Sequence, residues 1–209
     1  MPFRALALSA LAATLTVSCG AQETKKEDAP EKAAAPAAIE DIRAVIKTNK
    51  GDIKIVLFAK KAPVTAANFL NLAKRGYYDG VTFHRVEPGF VIQGGDPDGT
   101  GRGGPGYTIE LEVSPDLLHH SAGVLSMARK PDPNSAGSQF FVTLDKTPHL
   151  DGGYAVFGEV TEGLDVVQKI AVGDKMTSVE VLDSTDALFT KLEKRVAEWN
   201  KALDQRPKP

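Results

Sequence analysis

The groups able to do chemistry are few and sit in short apolar segments. Arg85 lies in Phe83-His84-Arg85-Val86, between a histidine and a valine rather than in a run of charge. Gln93 ends Phe90-Val91-Ile92-Gln93, and Gln139 opens Gln139-Phe140-Phe141-Val142. Strand alternation puts Val91 and Gln93 on one face, Phe90 and Ile92 on the other, and Gln139 on the face of Phe141. One guanidinium, two carboxamides and outward phenylalanines would make a shallow apolar groove with a few fixed donors. The same residues would serve equally well as polar positions of edge strands facing water.

Other chemistries find little support. The histidines His84, His119, His120 and His149 make no HxxxH spacing and no helical His/carboxylate pair, so no metal is expected. His84 reads as a satisfied, partly buried mid-strand residue. There is no GxSxG elbow. Gly99-Thr100-Gly101-Arg102-Gly103-Gly104 matches GxGxxG, but it leads into the strand-like Pro105-Gly106-Tyr107-Thr108-Ile109. A phosphate cradle needs a helix N-terminus there, so this reads as a floppy loop and no cofactor is expected.

The elements that must position the groove are short. Ile42–Thr48 and Asp52–Leu57 are β-branched runs around Asn49-Lys50-Gly51, a hairpin pattern with a glycine for positive φ. Ala62-Pro63 opens a helix whose apolar positions Val64, Ala67, Leu70 and Ala73 recur every three residues, with Phe69 beside Leu70, ending before Gly76. Strands are expected at Val81–Val86, Phe90–Gln93, Thr108–Leu111, Val124–Met127, Gln139–Val142, Ala155–Val160 and Val179–Leu182, with a helix at Leu164–Ile170. Many short strands with Gly/Pro turns indicate an antiparallel barrel or sandwich. Leu188, Leu192, Val196, Trp199 and Leu203 then place one apolar stripe on a final helix, capped by Asp183, Ser184 or Asp186. Packing on the body is favoured over a docking or dimerisation role.

The organisation is therefore a signal peptide over residues 1–18, a tether over 19–40, a folded body over 41–183, and a C-terminal helix and tail over 184–209. Ala5–Val17 is apolar, too short to span a bilayer, and fits the core of a secretory signal. Cys19, the single cysteine, follows in Val17-Ser18-Cys19-Gly20, which resembles a lipoprotein lipobox with Thr16 in place of the usual leucine. Lipidation of Cys19 and ordinary cleavage after Ala21 both remain open. Glu23–Ala38 mixes charge, alanine and two prolines without large apolar residues, the composition of a solvated spacer. The 209 residues carry 25 Lys+Arg against 27 Asp+Glu, so the basic excess of a nucleic-acid module is missing.

Three ordered blocks carry a resemblance. Phe83-His84-Arg85-Val86-Glu87-Pro88-Gly89-Phe90-Val91-Ile92-Gln93-Gly94-Gly95-Asp96 is similar to the signature of cyclophilin-type peptidyl-prolyl isomerases. So are Gly123–Ala128 with Ser135–Phe141, and Leu150–Val160. The resemblance covers about Arg43 to Leu182. It implies a mostly β fold, an eight-stranded antiparallel cyclophilin-like barrel capped by two helices, to which this chain adds its C-terminal helix.

The resemblance also assigns roles. Arg85 would be the catalytic guanidinium, with Gln93 orienting it and holding substrate backbone. Phe90, Val91, Phe141 and Leu150 would line the proline pocket, and Ala128-Arg129 would pair with residues ahead of proline. Gln139, His149 and Tyr154 would complete the wall. Tyr154 stands where many relatives have His, Val91 replaces a common Met, and His149 occupies a position where some relatives carry Trp. The implied activity is isomerisation of X–Pro bonds in exported polypeptides by a monomer that touches membrane only through its lipid anchor. The alternatives are a proline-peptide-binding holdase with little turnover and a structural envelope lipoprotein.

Overall fold

Twelve-residue helix α1 (Pro63–Lys74) is buried along almost its whole length, from Thr65 to Ala73, because elements pack on it from both sides. Pro63 starts it, where a missing N–H costs nothing. The carboxylate of Glu112 accepts the first free N–H groups, from Val64 at 3.2 Å and Thr65 at 2.9 Å. On one side Phe69 meets Tyr78, Phe140 and Phe157, with ring centroids 5.0 to 5.4 Å apart. The other side is covered by the C-terminal helices. This computed structural model describes residues 38–205 together with Met1; the expected signal, Cys19 and nearly all of the tether lie outside the described residues.

Eight antiparallel strands form one curled sheet in the order β3-β4-β6-β5-β7-β2-β1-β8. They are β1 (Ile42–Thr48), β2 (Gly51–Leu57), β3 (Arg85–Glu87), β4 (Val91–Gly94), β5 (Val124–Met127), β6 (Phe140–Thr143), β7 (Val156–Glu162) and β8 (Met176–Val181). The two edges meet where Thr82 bridges Lys175. Phe83 N–H donates to Asp174 C=O at 2.8 Å and Met176 N–H to Val81 C=O at 2.9 Å, which closes the wall. Closure pairs edge groups that would otherwise invite association. Inward residues pair with inward residues across the register, as in Ala44 with Ile55, Ile46 with Val179, Ile92 with Val142 and Met127 with Phe140. All of these belong to one apolar cluster. Each large side chain in it contributes roughly 1.5–3 kcal/mol by leaving water.

Several expected boundaries change. Val81–Val86 is not one strand: Thr82 serves the closing bridge, His84 lies between the pieces, and pairing resumes at Arg85. Thr108–Leu111 reduces to a single bridge of Ile109 with Ala136. Ile109 and Leu111 are its only apolar residues, and side-chain contacts hold the segment in place of a full ladder. The segment 99–104 is not floppy. The buried carboxylate of Asp96 accepts N–H groups from Asp98 and Gly101, and Gly103 also donates to it. Burial pushes the Asp96 carboxyl up, but these hydrogen bonds outweigh it and hold the pKa below the usual carboxylate value. A side chain at Gly103 would have its Cβ 2.0 Å from Asp96 Oδ1, so the glycines serve this carboxylate and not a phosphate.

The C-terminal stripe packs on the body as expected, but in two helices. α2 (Leu164–Val167) precedes β8; α3 (Asp186–Lys191) and α4 (Glu193–Asp204) follow it, with a break at Leu192. Leu188, Trp199 and Leu203 join the main core. Asp183 does not cap them, because Arg43 takes its carboxylate through both Nε and Nη2; Ser184 Oγ instead accepts the Asp186 N–H. That ion pair pulls the Asp183 pKa down to about 2.

Candidate active site

A single row across the outer face of β3, β4, β6 and β5 builds the site. The register sets Arg85 opposite Gln93, Gln93 opposite Phe141, and Phe141 opposite Ser126. Pleating turns all four away from the core, because period two sends their neighbours Val86, Ile92, Phe140 and Met127 inward or toward it. Phe90 is not a strand residue facing the other way, as alternation predicts. It lies in the β3–β4 turn, where its N–H donates to Glu87 C=O at 2.9 Å and its C=O accepts from Leu144 at 2.8 Å. The turn carries the ring around to the outer face.

A directional chain of hydrogen bonds holds the polar groups. Arg85 Nη1 donates to Gln93 Oε1 at 3.1 Å, Gln93 Nε2 donates to Gln139 Oε1 at 3.0 Å, and Gln139 Nε2 donates to Gly103 C=O at 2.9 Å. Glu87 holds the other side of the guanidinium, accepting from Nε at 3.0 Å and Nη2 at 2.6 Å. Three of five N–H donors are thus engaged, which leaves one on each terminal nitrogen to aim outward. The guanidinium also lies 5.9 Å from the centre of the Phe90 ring. The fork is therefore fixed in plane yet open to a ligand.

Aromatic side chains form the rest of the wall. Phe90 stacks on His149 at 5.6 Å, and His149 sits in the short turn Pro148–Leu150 with Leu150 beside it. Leu150 is half-buried, and its carbonyl accepts the N–H groups of Gly153 and Tyr154. The Tyr154 ring meets Phe141 edge-on at 5.8 Å, and Arg129 lies 4.9 Å above the Tyr154 ring. Val91 and Phe141 are buried yet stand outside the main apolar cluster. Ala128 follows β5, and its N–H donates to Gln139 C=O at 3.0 Å. Beside this wall opens a cavity of about 470 Å³, which shares Gln93, Ala128, Arg129 and Gln139 with it. Contacts thus link Arg85, Gln93 and Gln139 with Phe90 and His149, and Phe141 with Tyr154 and Arg129, while Ala128 shares the cavity and Val91 and Leu150 adjoin these residues in sequence.

Four important side chains were not singled out from the sequence. Behind Phe141 lies His119, fully buried, with its ring stacked on Phe141 at 5.9 Å. Its Nδ1 lies 2.8 Å from Asp151 Oδ1, and Nε2 lies 3.1 Å from Ser126 Oγ. A carboxylate only accepts, so Nδ1 carries the proton and Nε2 accepts from the Ser126 hydroxyl. Burial pushes the His119 imidazole below its ordinary pKa, with Asp151 pulling the other way. Glu87, the clamp on Arg85, is the fourth. The available signal was a serine inside the apolar strand Val124–Met127, which implies a buried partner. His84 departs from expectation too: neither ring nitrogen has a partner among the described residues, and burial lowers its pKa.

Residues 43–187 match the family model described as cyclophilin type peptidyl-prolyl cis-trans isomerase/CLD. The chain belongs to this cyclophilin family. It is 51% identical over 138 residues to a peptidyl-prolyl cis-trans isomerase of Helicobacter pylori, covering 65% of this chain and 84% of that one. Identity to peptidyl-prolyl cis-trans isomerase B of Bacillus subtilis is 51% over 129 residues, 62% of this chain and 90% of that one. Among solved structures, a Cryptosporidium parvum cyclophilin type isomerase matches with a TM-score of 0.65 and 34% identity, covering 69% of this chain and 99% of that one. The same protein determined in the presence of the dipeptide Ala-Pro matches at 0.64. The chain is thus a peptidyl-prolyl cis-trans isomerase of the cyclophilin type, with the curled eight-stranded sheet of that fold.

Proposed function

We propose that this cyclophilin accelerates X–Pro rotation in exported polypeptides, with Arg85 stabilising the twisted bond. The planar imide resists rotation by about 18–20 kcal/mol because twisting destroys its resonance. In the twisted state the prolyl nitrogen becomes pyramidal and regains a lone pair. An N–H donor from Arg85 aimed at that nitrogen bonds the transition state and not the planar ground state, which is the requirement for catalysis. A hydrogen bond from a charged donor is worth roughly 1.5–3 kcal/mol, or about one to two decades of rate. Because 43% of the Arg85 side chain is solvent-exposed, the lower end applies until a bound peptide covers it. Val91, Phe90, Phe141 and Leu150 offer an apolar seat that favours the less charge-separated twisted amide.

The observation that carries this reading is the fixed fork: Glu87 and Gln93 hold Arg85 in one plane beside Phe90 and leave two N–H donors unspent. The Gln93–Gln139 chain gives the substrate backbone a stationary partner while the other side rotates. The proline seat is apolar, no nucleophile is required, and proline-containing polypeptides are the partners. The decisive experiment is protease-coupled isomerisation of a prolyl tetrapeptide by wild type and Arg85→Ala. Strong acceleration by wild type that the variant loses supports the mechanism. Peptide binding without acceleration would identify a holdase instead.

Export and anchoring belong to the same proposal. Residues 1–18 would direct secretion, and Cys19 would carry the lipid, with residues 19–40 spacing a monomeric domain from the membrane surface. Intact-mass measurement of the mature protein tests this: a diacylated or triacylated N-terminal Cys19 is expected, and a free N-terminus beginning at Gln22 would exclude the anchor.

A further inference from the structure

Helix α4 lies beyond the residues matched by the family model, yet it packs against Tyr107, which lines the cavity beside the catalytic row. The wall of that cavity includes Gly103, Pro105 and Tyr107 and, next to them, Ser135, Gly137 and Gln139. Segment 105–112 has no ladder of its own and only the Ile109–Ala136 bridge, so side chains must fix it. α4 supplies two of those contacts. The Trp199 ring stacks on Tyr107 at 5.6 Å and 12°, and Arg195 pairs with Glu110. The Tyr107 hydroxyl donates to Asn68 Oδ1 at 2.8 Å, and Asn68 Nδ2 donates to Gly137 C=O at 2.7 Å, so Tyr107 is tied through Asn68 to the neighbouring lining segment. Asn200 receives Asn71 at 3.0 Å and Arg75 at 3.3 Å, and Asp204 pairs with Arg75, so α4 is itself anchored on α1.

We propose that α4 is a positioning element of the peptide cleft, in which Trp199, acting through Tyr107, holds the cavity wall and thereby sets affinity for substrate residues ahead of proline. The proposal rests on the reading of Arg85 and Ala128-Arg129 given above. Trp199 touches neither the catalytic row nor the cavity, so its influence separates binding of an extended peptide from the rotation step.

The test compares the full chain with Trp199→Leu, Trp199→Phe and the exposed-side variant Arg195→Ala. Two probes are used: a blocked Xaa-Pro dipeptide too short to reach the cavity, and a peptide extended by three residues ahead of the same Xaa-Pro. Affinities are measured by calorimetry and kcat and KM by isomerisation, with thermal melts to establish folding. Trp199→Leu is expected to weaken the extended peptide about fivefold in Kd and KM, the scale of one lost aromatic pair, at unchanged kcat. The short probe should be unaffected, Trp199→Phe should recover most of the loss, and Arg195→Ala should show about a twofold version of it. Equal losses for both probes, or unchanged extended-peptide affinity in Trp199→Leu and Arg195→Ala, would overturn the proposal. Calorimetry reads the ratio even without turnover, so failure of the isomerase mechanism would show separately, as absence of acceleration in wild type.

Discussion

The wall of the barrel has two halves built by the same antiparallel rule and used in different ways. On β1, β2 and β8 the charged outward positions are open to water, and they carry ion pairs such as Lys47–Glu180 and, reaching to β7, Lys54–Glu162. On β3 to β6 the strands are three or four residues long and their outward row ends in Phe141 and Ser126, both buried. The loops around His119 and Pro148–Tyr154 cover that row. A sheet has two faces, and one of them normally makes the core while the other meets solvent. Where the second face is also covered, the extra burial holds a row of side chains in one arrangement. The long strands give stability mainly through their inner face; the short ones give up ladder length and gain a preorganised outer surface.

Substitutions can break or sharpen this contrast. Arg85→Ala should have the largest effect, lowering kcat/KM by about tenfold to a hundredfold while the denaturant midpoint stays within error, because the lost contacts are exposed. An Arg85→Ala enzyme with wild-type kinetics on a prolyl peptide would remove the row's claim to catalysis. Phe141→Leu should come next. The pocket floor loses its stack with His119 and its edge contact with Tyr154, so KM should rise about tenfold and stability should fall by about 1–2 kcal/mol. A change in kcat alone would assign Phe141 to rotation rather than to seating the proline.

Acid should act on the covered half first. The His119 pKa is held below its ordinary value of about 6.5 in the fold. Between the depressed value and about 6.5 the unfolded chain binds the extra proton, so stability increases with pH across that window. The contribution is complete above pH 6.5 and is lost as pH falls through the folded value. His84 shifts in the same direction and adds to the slope. Urea midpoints measured from pH 7.5 down to pH 5 should therefore fall, and His119→Gln should flatten part of the decline. An unchanged slope in that variant would mean that His119 binds its proton equally in the folded and unfolded chain. Lys54→Ala should have the smallest effect, a midpoint shift equivalent to at most about 0.5 kcal/mol, since exposed ion pairs contribute little. A larger loss would show that the open half also depends on its outer face.

What could be read in advance depended on how local the cause was. The β1–β2 hairpin and α1 were legible because β-branched runs, Gly51 and Pro63 act within a few residues. The polar members of the row were legible as oddities, glutamine and arginine among apolar neighbours, and their roles came through the resemblance. Alternation gives Phe90 the wrong face because it assumes a strand, and the residue sits in a turn. The order of the Asp96 loop is not legible locally, because its stabilising group precedes the glycines and accepts backbone N–H groups that no motif displays. His119, Ser126 and Asp151 were missed because residues 32 positions apart meet only through the tertiary fold. The Thr108–Leu111 run looked like a strand by composition, but too few partners lie alongside it at the rim.

The seam of the barrel has a consequence for motion. Among the described residues, only the short stretch ahead of β3 joins the two margins of the sheet, and Arg85 comes two residues after the last seam hydrogen bond, at Phe83. Any breathing that parts Thr82 from Lys175 therefore pulls on the backbone that aims the guanidinium. Amide protons of Phe83 and Met176 should exchange together, and their opening rate should track the rate at which the catalytic side chain loses and regains its orientation.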